Sequence, residues 1–170
     1  MCMATVQRFE DLKVWQFARE QAKQIHQFTK RDTFAKDYEL RNQISRSSGS
    51  VMDNVAEGFG RGSRAEFILF LGYSLGSNDE VKSQLYRAFD RTHVDQQQFD
   101  ELYTVADRIT KMLVSLMNYL KKTPYKGFKY NTSVVEEPLA ELLQITNFGR
   151  EPQELRTTNY ELQTFNQDDI

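Results

Sequence analysis

Two long runs of helically spaced apolar residues meet at a cluster of glycines, Gly58, Gly60 and Gly62. Before the cluster, Leu40, Ile44, Val51, Val55 and Phe59 recur at steps that keep one helix face apolar, with the small Ser47 and Ser48 filling the gap. After it comes Ser63-Arg64-Ala65-Glu66, followed at once by Phe67-Ile68-Leu69-Phe70-Leu71. This is a capping-box pattern: the Ser63 hydroxyl can accept from the Glu66 backbone N–H, and the Glu66 carboxylate can accept from the Ser63 N–H. One helix therefore ends and the next begins within a few residues, and such neighbours run antiparallel.

The same reasoning extends along the chain. A first helix is expected over about 11–30, capped by Asp11, with Leu12, Trp15, Ala18, Ala22 and Ile25 facing inward. A linker, Arg31 to Phe34, leads to a second helix over about 35–59, and the third runs over about 64–91. Asp95 and Gln98 resemble a second capping box and open a fourth helix over about 96–122. There Phe99, Leu102, Ala106, Ile109, Leu113, Leu116 and Leu120 alternate steps of three and four, the seam of a bundle with shallow crossing angles. Pro124 stops it. The expected fold is all-α: an antiparallel up-down-up-down four-helix bundle over residues 1–125 with an irregular C-terminal extension over 126–170. Within that extension a short helix is expected near 138–146, and Phe148, Tyr160, Leu162 and Phe165 form either a docking motif or part of a plain tail.

The run Asn54-Val55-Ala56-Glu57-Gly58-Phe59-Gly60-Arg61, with Glu66-Phe67, the segment from Gly72 to Asn78 and the opening Phe9-Glu10-Asp11-Leu12-Lys13-Val14-Trp15, resembles a bacterial family of four-helix-bundle proteins encoded in intervening sequences of the 23S rRNA gene. It is also similar to the accessory variability determinants of diversity-generating retroelements. The resemblance spans roughly residues 8–125 and implies a homopentameric ring associated with RNA or a reverse transcriptase, and no enzymatic activity.

Charge is unevenly placed. Residues 1–130 hold 20 Lys+Arg against 16 Asp+Glu, and residues 131–170 hold 2 against 8. A basic body with an acidic tail points either to a nucleic-acid partner or to a tail that only aids solubility. On the second and third helices the candidate phosphate ligands are Arg41, Arg46, Arg61, Arg64, Lys82, Arg87 and Arg91. The alternative for each is a surface salt bridge. Asp53 and Glu57 repel at i,i+4 while Glu57 and Arg61 attract, so this line is either a solvated face or a subunit-contact network. The third helix opens apolar nearly all round, which needs a second buried face: Phe67, Ile68 and Leu69 are the expected subunit interface, together with Asp53 and Glu57. Gly72 and Gly76, each costing about 1 kcal/mol relative to alanine inside a helix, are expected to lie against another helix or at a distortion.

Several chemistries are disfavoured. Gly58-Phe59-Gly60-Arg61-Gly62-Ser63 follows a helix, not a strand, and lacks the Gly-Lys-Ser/Thr of a phosphate loop. His26 and His93 have no Glu three residues before them and Cys2 is alone, so no metal or cofactor is expected. The serines at 45, 47, 48 and 50 have no nearby histidine to activate them. The longest apolar run, Phe67 to Leu71, is too short to span a bilayer, and the opening MCMATVQRFEDL lacks the apolar core of a signal peptide, so a cytoplasmic address is expected. The leading expectation is a non-enzymatic accessory protein binding RNA or a ribonucleoprotein. The alternative is a structural scaffold ring that recruits a protein through its tail or its third helix.

Overall fold

The structure, a computed structural model, describes residues 6–124, 126 and 127. The readings made above for residues 128–170 lie outside these. The described residues form five α-helices and a 3-10 turn, with no strand among them. The 3-10 turn Phe9–Asp11 leads into α1 (Lys13–Phe28), then α2 (Asp32–Lys36), α3 (Tyr38–Gly60), α4 (Arg64–Asp90) and α5 (Gln96–Lys122).

Two expected helix starts are revised. Asp11 does not cap α1: its carboxylate accepts the Arg8 N–H at 3.3 Å, closing the 3-10 turn, and the N-cap is Leu12. Leu12 is fully buried, so the chain enters α1 through an apolar anchor. The expected linker before the second helix is itself the short α2. The break between α2 and α3 falls at Asp37, whose φ of −80° and ψ of 74° leave the helical region while its carboxylate accepts the Leu40 N–H at 3.2 Å. Phe34 of α2 is buried and stacks on His93 at 4.9 Å.

Ser63 is the N-cap of α4, but its hydroxyl makes no capping bond. A different first-turn donor finds a partner from outside the helix: the Arg64 N–H reaches the Lys126 carbonyl at 2.9 Å, and the Arg64 guanidinium donates to the Thr123 carbonyl. Gly127, at φ +118°, lies so close to the corner that a Cβ there would stand 2.8 Å from Ser63 Cα and collide with the Gly62 carbonyl oxygen. Gly62, at φ 71°, takes the left-handed conformation that turns the chain from α3 into α4. The second capping box forms as expected: Asp95 accepts the Gln98 N–H at 2.8 Å and Gln98 accepts the Asp95 N–H at 3.0 Å.

Packing closes a cycle in which α3 lies on α4, α4 on α5, α5 on α1 and α1 on α3. Every residue of the expected α5 seam is buried, as are Leu40, Ile44, Val51 and Val55 of α3. Between α3 and α4 the partners fall in sequence on one helix as they rise on the other. Ser74 donates to the Val51 carbonyl at 2.8 Å, Ser77 to Ser50 at 3.0 Å, and Gln84 to Ser47 at 3.0 Å. Farther along, Arg87 donates to Gln43 at 2.6 Å. At Gly58 the two helices approach closely, since a Cβ there would meet Phe70 Cβ at 2.6 Å. Gly72 and Gly76 differ from the expected close contact: among the described residues, the helix's own nearby backbone aside, no atom lies within 4 Å of a Cβ at either.

The core has one polar centre. Asn78 of α4 is fully buried; its oxygen accepts from Gln21 of α1 at 2.9 Å, and its nitrogen donates to the Ala106 carbonyl at 2.7 Å and Thr110 at 3.0 Å, both on α5. One amide thus joins three helices. Replacing Asn78 with Ala leaves the buried Gln21 amide nitrogen without its acceptor, at about 1–3 kcal/mol for a buried polar group left unpaired, while the Ala106 carbonyl keeps its bond within α5. We expect Asn78→Ala to lower the urea midpoint accordingly. A midpoint unchanged within error would mean that the amide is not the junction described.

Candidate functional site

The seven basic residues expected to meet phosphate are not equally available. Arg61 pairs with Glu57 at 2.5 Å, the i,i+4 partner read from the sequence, and its guanidinium lies over the Phe70 ring at 5.1 Å. Arg64 is spent on the Thr123 carbonyl. Arg41 donates to the Ala35 carbonyl at 2.9 Å and covers the Tyr38 ring at 4.7 Å. Lys82, only 15% exposed, donates to Thr110 at 2.7 Å and stands between Asp79 at 3.6 Å and Asp107 at 4.0 Å. Arg87 is held by Gln43 and, at 3.7 Å, by Glu39, while Arg91 reaches Asp37 at 2.6 Å. Among the described residues, Arg46 alone of the seven has no such partner. It lines a shallow polar cleft of about 530 Å³ between α3 and α4 with Asn42, Gln43, Ser50, Glu80 and Gln84.

The expected subunit-contact residues divide by face. Phe67 is buried within its own chain, edge-on to Phe59 at 6.0 Å. Ile68 is half-buried against the same core. Leu69 stands 51% exposed, and one turn on Tyr73 is 52% exposed. With Gly72 and Gly76 between and beyond them, these two side chains make an apolar, low-relief strip on α4. Asp53 and Glu57 are exposed on α3.

At the other end of the α3–α4 pair, Asp37 gathers three partners. Arg91 donates at 2.6 Å, His93 lies at 3.0 Å from the same oxygen, and the Leu40 N–H caps onto the other. The Arg91 bond and then the His93 bond hold the Asp37 carboxyl well below the usual carboxylate range, at about 2. Thr33 meets the other ring nitrogen of His93 at 3.0 Å. The cluster therefore ties α2, α3 and the α4–α5 turn together. Sequence reading missed it because its members are separated by more than fifty residues. Among the described residues no group of three or more His, Cys, Asp and Glu converges as a metal site would require, and no helix is long and apolar enough to cross a membrane.

Residues 10–115 match the family described as 23S rRNA-intervening sequence protein. The chain belongs to that family. A crystal structure from Bacteroides thetaiotaomicron VPI-5482, of a protein with unknown function from the S23 ribosomal protein family, is similar at 26% identity with a TM-score of 0.57. The likeness covers 65% of this chain and 99% of that one. No curated protein matches the chain. The family match ends short of the C-terminus of α5, and the Asp37 cluster, the α4 strip and the Asn78 junction all fall inside it.

The Asp37 cluster has a pH signature. Its carboxyl is depressed in the folded state, so the ionised form stabilises the fold. That contribution is complete above an ordinary aspartate value near 4 and is lost as pH falls toward about 2. The side chain is 16% exposed, and about 2 kcal/mol is the upper size of the effect. Urea midpoints of the native chain and of Asp37→Asn should therefore converge between pH 4 and pH 2. A gap that stays constant over that interval would show that the carboxyl is not held by Arg91 and His93.

Proposed function

We propose that this chain is an antiparallel up-down-up-down four-helix bundle, built from α1, α3, α4 and α5, that assembles with copies of itself. In that reading it acts in the cytoplasm as a non-enzymatic accessory protein binding RNA or a ribonucleoprotein. The fall of α3 partners as α4 partners rise supports the antiparallel arrangement. The observation that carries the assembly is the α4 strip: Leu69 and Tyr73 are half-exposed, and the glycines beside them leave the backbone open to close approach. Each glycine costs the isolated helix about 1 kcal/mol relative to alanine, and among the described residues no atom outside the helix's own nearby backbone comes within 4 Å of a Cβ placed at either. A second copy laid against α4 supplies the reason. Ring closure into a pentamer, and kinship with the accessory determinants of diversity-generating retroelements, rest on the resemblance carried by Asn54 to Arg61. RNA is the favoured partner because residues 1–130 carry four more cations than anions and repetition around a ring multiplies that excess.

The scaffold reading remains the competitor, and nucleic acid co-purifying with the protein discriminates between the two. Absorbance at 260 nm that falls relative to 280 nm after a high-salt wash supports RNA binding, and protein clean from the start supports the scaffold. For assembly, light scattering should return a mass several times 20.0 kDa. Leu69→Asp should reduce it to one chain with helicity intact. Gly72→Ala and Gly76→Ala should raise helix stability by up to about 1 kcal/mol each while weakening self-association. A concentration-independent monomer for the native chain would end the assembly proposal.

A further inference from the structure

We propose that RNA is contacted by the outward face of α1 together with Arg108 of α5, and not by the basic residues of α3 and α4; this rests on the RNA-binding reading above. The first ground is where the charge lies. Residues 12–31 hold five Lys and Arg against one Glu, whereas residues 32–127 hold thirteen Lys and Arg against thirteen Asp and Glu. The positive excess of the described body is therefore concentrated in the α1 segment. The rest is balanced, and most of its arginines are engaged by carboxylates or carbonyls.

The second ground is how the α1 cations are held. Arg19 lies over the Trp15 ring at 5.9 Å, and Arg108 crosses from α5 to cover the Phe17 ring at 4.2 Å. Among the described residues neither has a carboxylate partner. A guanidinium resting on an aromatic face is orientated without being neutralised, and its N–H fork stays available for a phosphate oxygen. Lys23 has only a loose contact with Glu20 at 3.6 Å, both side chains being half-exposed or more, and Lys13 donates only to Gln16 at 3.3 Å. A shallow groove of about 380 Å³ runs past Trp15, Gln16, Arg19, Glu20 and Lys23. Helical spacing places Lys13, Gln16, Arg19 and Lys23 along one side over about 15 Å. These features recognise a sugar–phosphate backbone and carry no base code. By contrast, a phosphate arriving at Arg61 or Arg87 must first displace Glu57, or Gln43 and Glu39.

Trp15 is the chain's only tryptophan, so its emission reports on the groove directly. The experiment titrates the full chain into fluorescein-labelled single-stranded RNA of two unrelated sequences, at two salt concentrations, following anisotropy and Trp15 fluorescence. Both RNAs should bind similarly and alter Trp15 emission. Arg19→Glu/Lys23→Glu should weaken binding at least tenfold at low salt. It should also flatten the slope of log K against log salt by about 1.4, at about 0.7 for each phosphate that is no longer neutralised. Arg108→Gln should weaken it severalfold, and Arg61→Gln and Arg87→Gln should leave it within twofold. Circular dichroism confirms that each variant is folded. If the α1 variants bind as the native chain does while Arg61→Gln or Arg87→Gln loses affinity, the inference fails and the RNA reading stands. If no form binds RNA at low salt, the RNA reading itself fails. Polyglutamate of matched charge that binds as tightly and changes Trp15 equally would assign the groove to an acidic protein segment and overturn RNA as its occupant.

Discussion

The buried amide of Asn78 is the constraint from which the rest of the packing follows. A polar side chain excluded from water must find partners, and here they come from two other helices: Gln21 on α1, the Ala106 carbonyl and Thr110 on α5. An apolar core tolerates sliding, because one methyl group serves nearly as well as the next. A hydrogen-bonded amide does not, since a shift of one residue on any of the three helices leaves a donor or acceptor stranded. Ser74, one turn earlier on α4, adds a bond to the Val51 carbonyl of α3, so α4 is keyed to all three of its long neighbours within one turn. The polar line continues outward through Thr110 to Lys82, which grades the dry centre into the charged surface. Gln21 Oε1 is left buried without a partner in this arrangement.

Legibility from sequence tracked the distance between partners. The α5 seam and its Asp95–Gln98 box were readable because the pattern is local and repeats, and both are observed. The pairing of Glu57 with Arg61 was readable for the same reason. The cap of α4 was not: the motif Ser63-to-Glu66 is present, yet the first turn is capped by the carbonyl of Lys126, more than sixty residues away. The break at Asp37 was equally hidden, because a continuous helix from Ala35 is a good local solution. It is overridden by Arg91 and His93 arriving from the α4–α5 turn.

The same rule explains why the engagements of the basic residues were not legible. Counting cations along the second and third helices cannot show that Arg87 will meet Gln43 and Glu39, or that Arg91 will meet Asp37. Nor can it show that Arg108 crosses to Phe17 on a different helix. One signal was available: between Leu12 and Arg31 anions are nearly absent, whereas over residues 32–127 they equal the cations in number. Local charge balance, more than the number of arginines, separates cations that have internal work from those that have none.

Gly127 lies beyond α5, the last helix among the described residues. Its lack of a side chain is what lets the segment after Pro124 lie against Gly62 and Ser63 and bring the Lys126 carbonyl to the first turn of α4. Any L-residue there would need both a disfavoured backbone angle and space already filled. The end of the helical body is therefore latched to its middle corner. A protease cut between Lys122 and Gly127 would sever more than an appendage, since it would release the carbonyl that caps α4. Helix α4 would then fray from the turn that carries Phe67, and the damage would spread toward Leu71 and the centre of the fold.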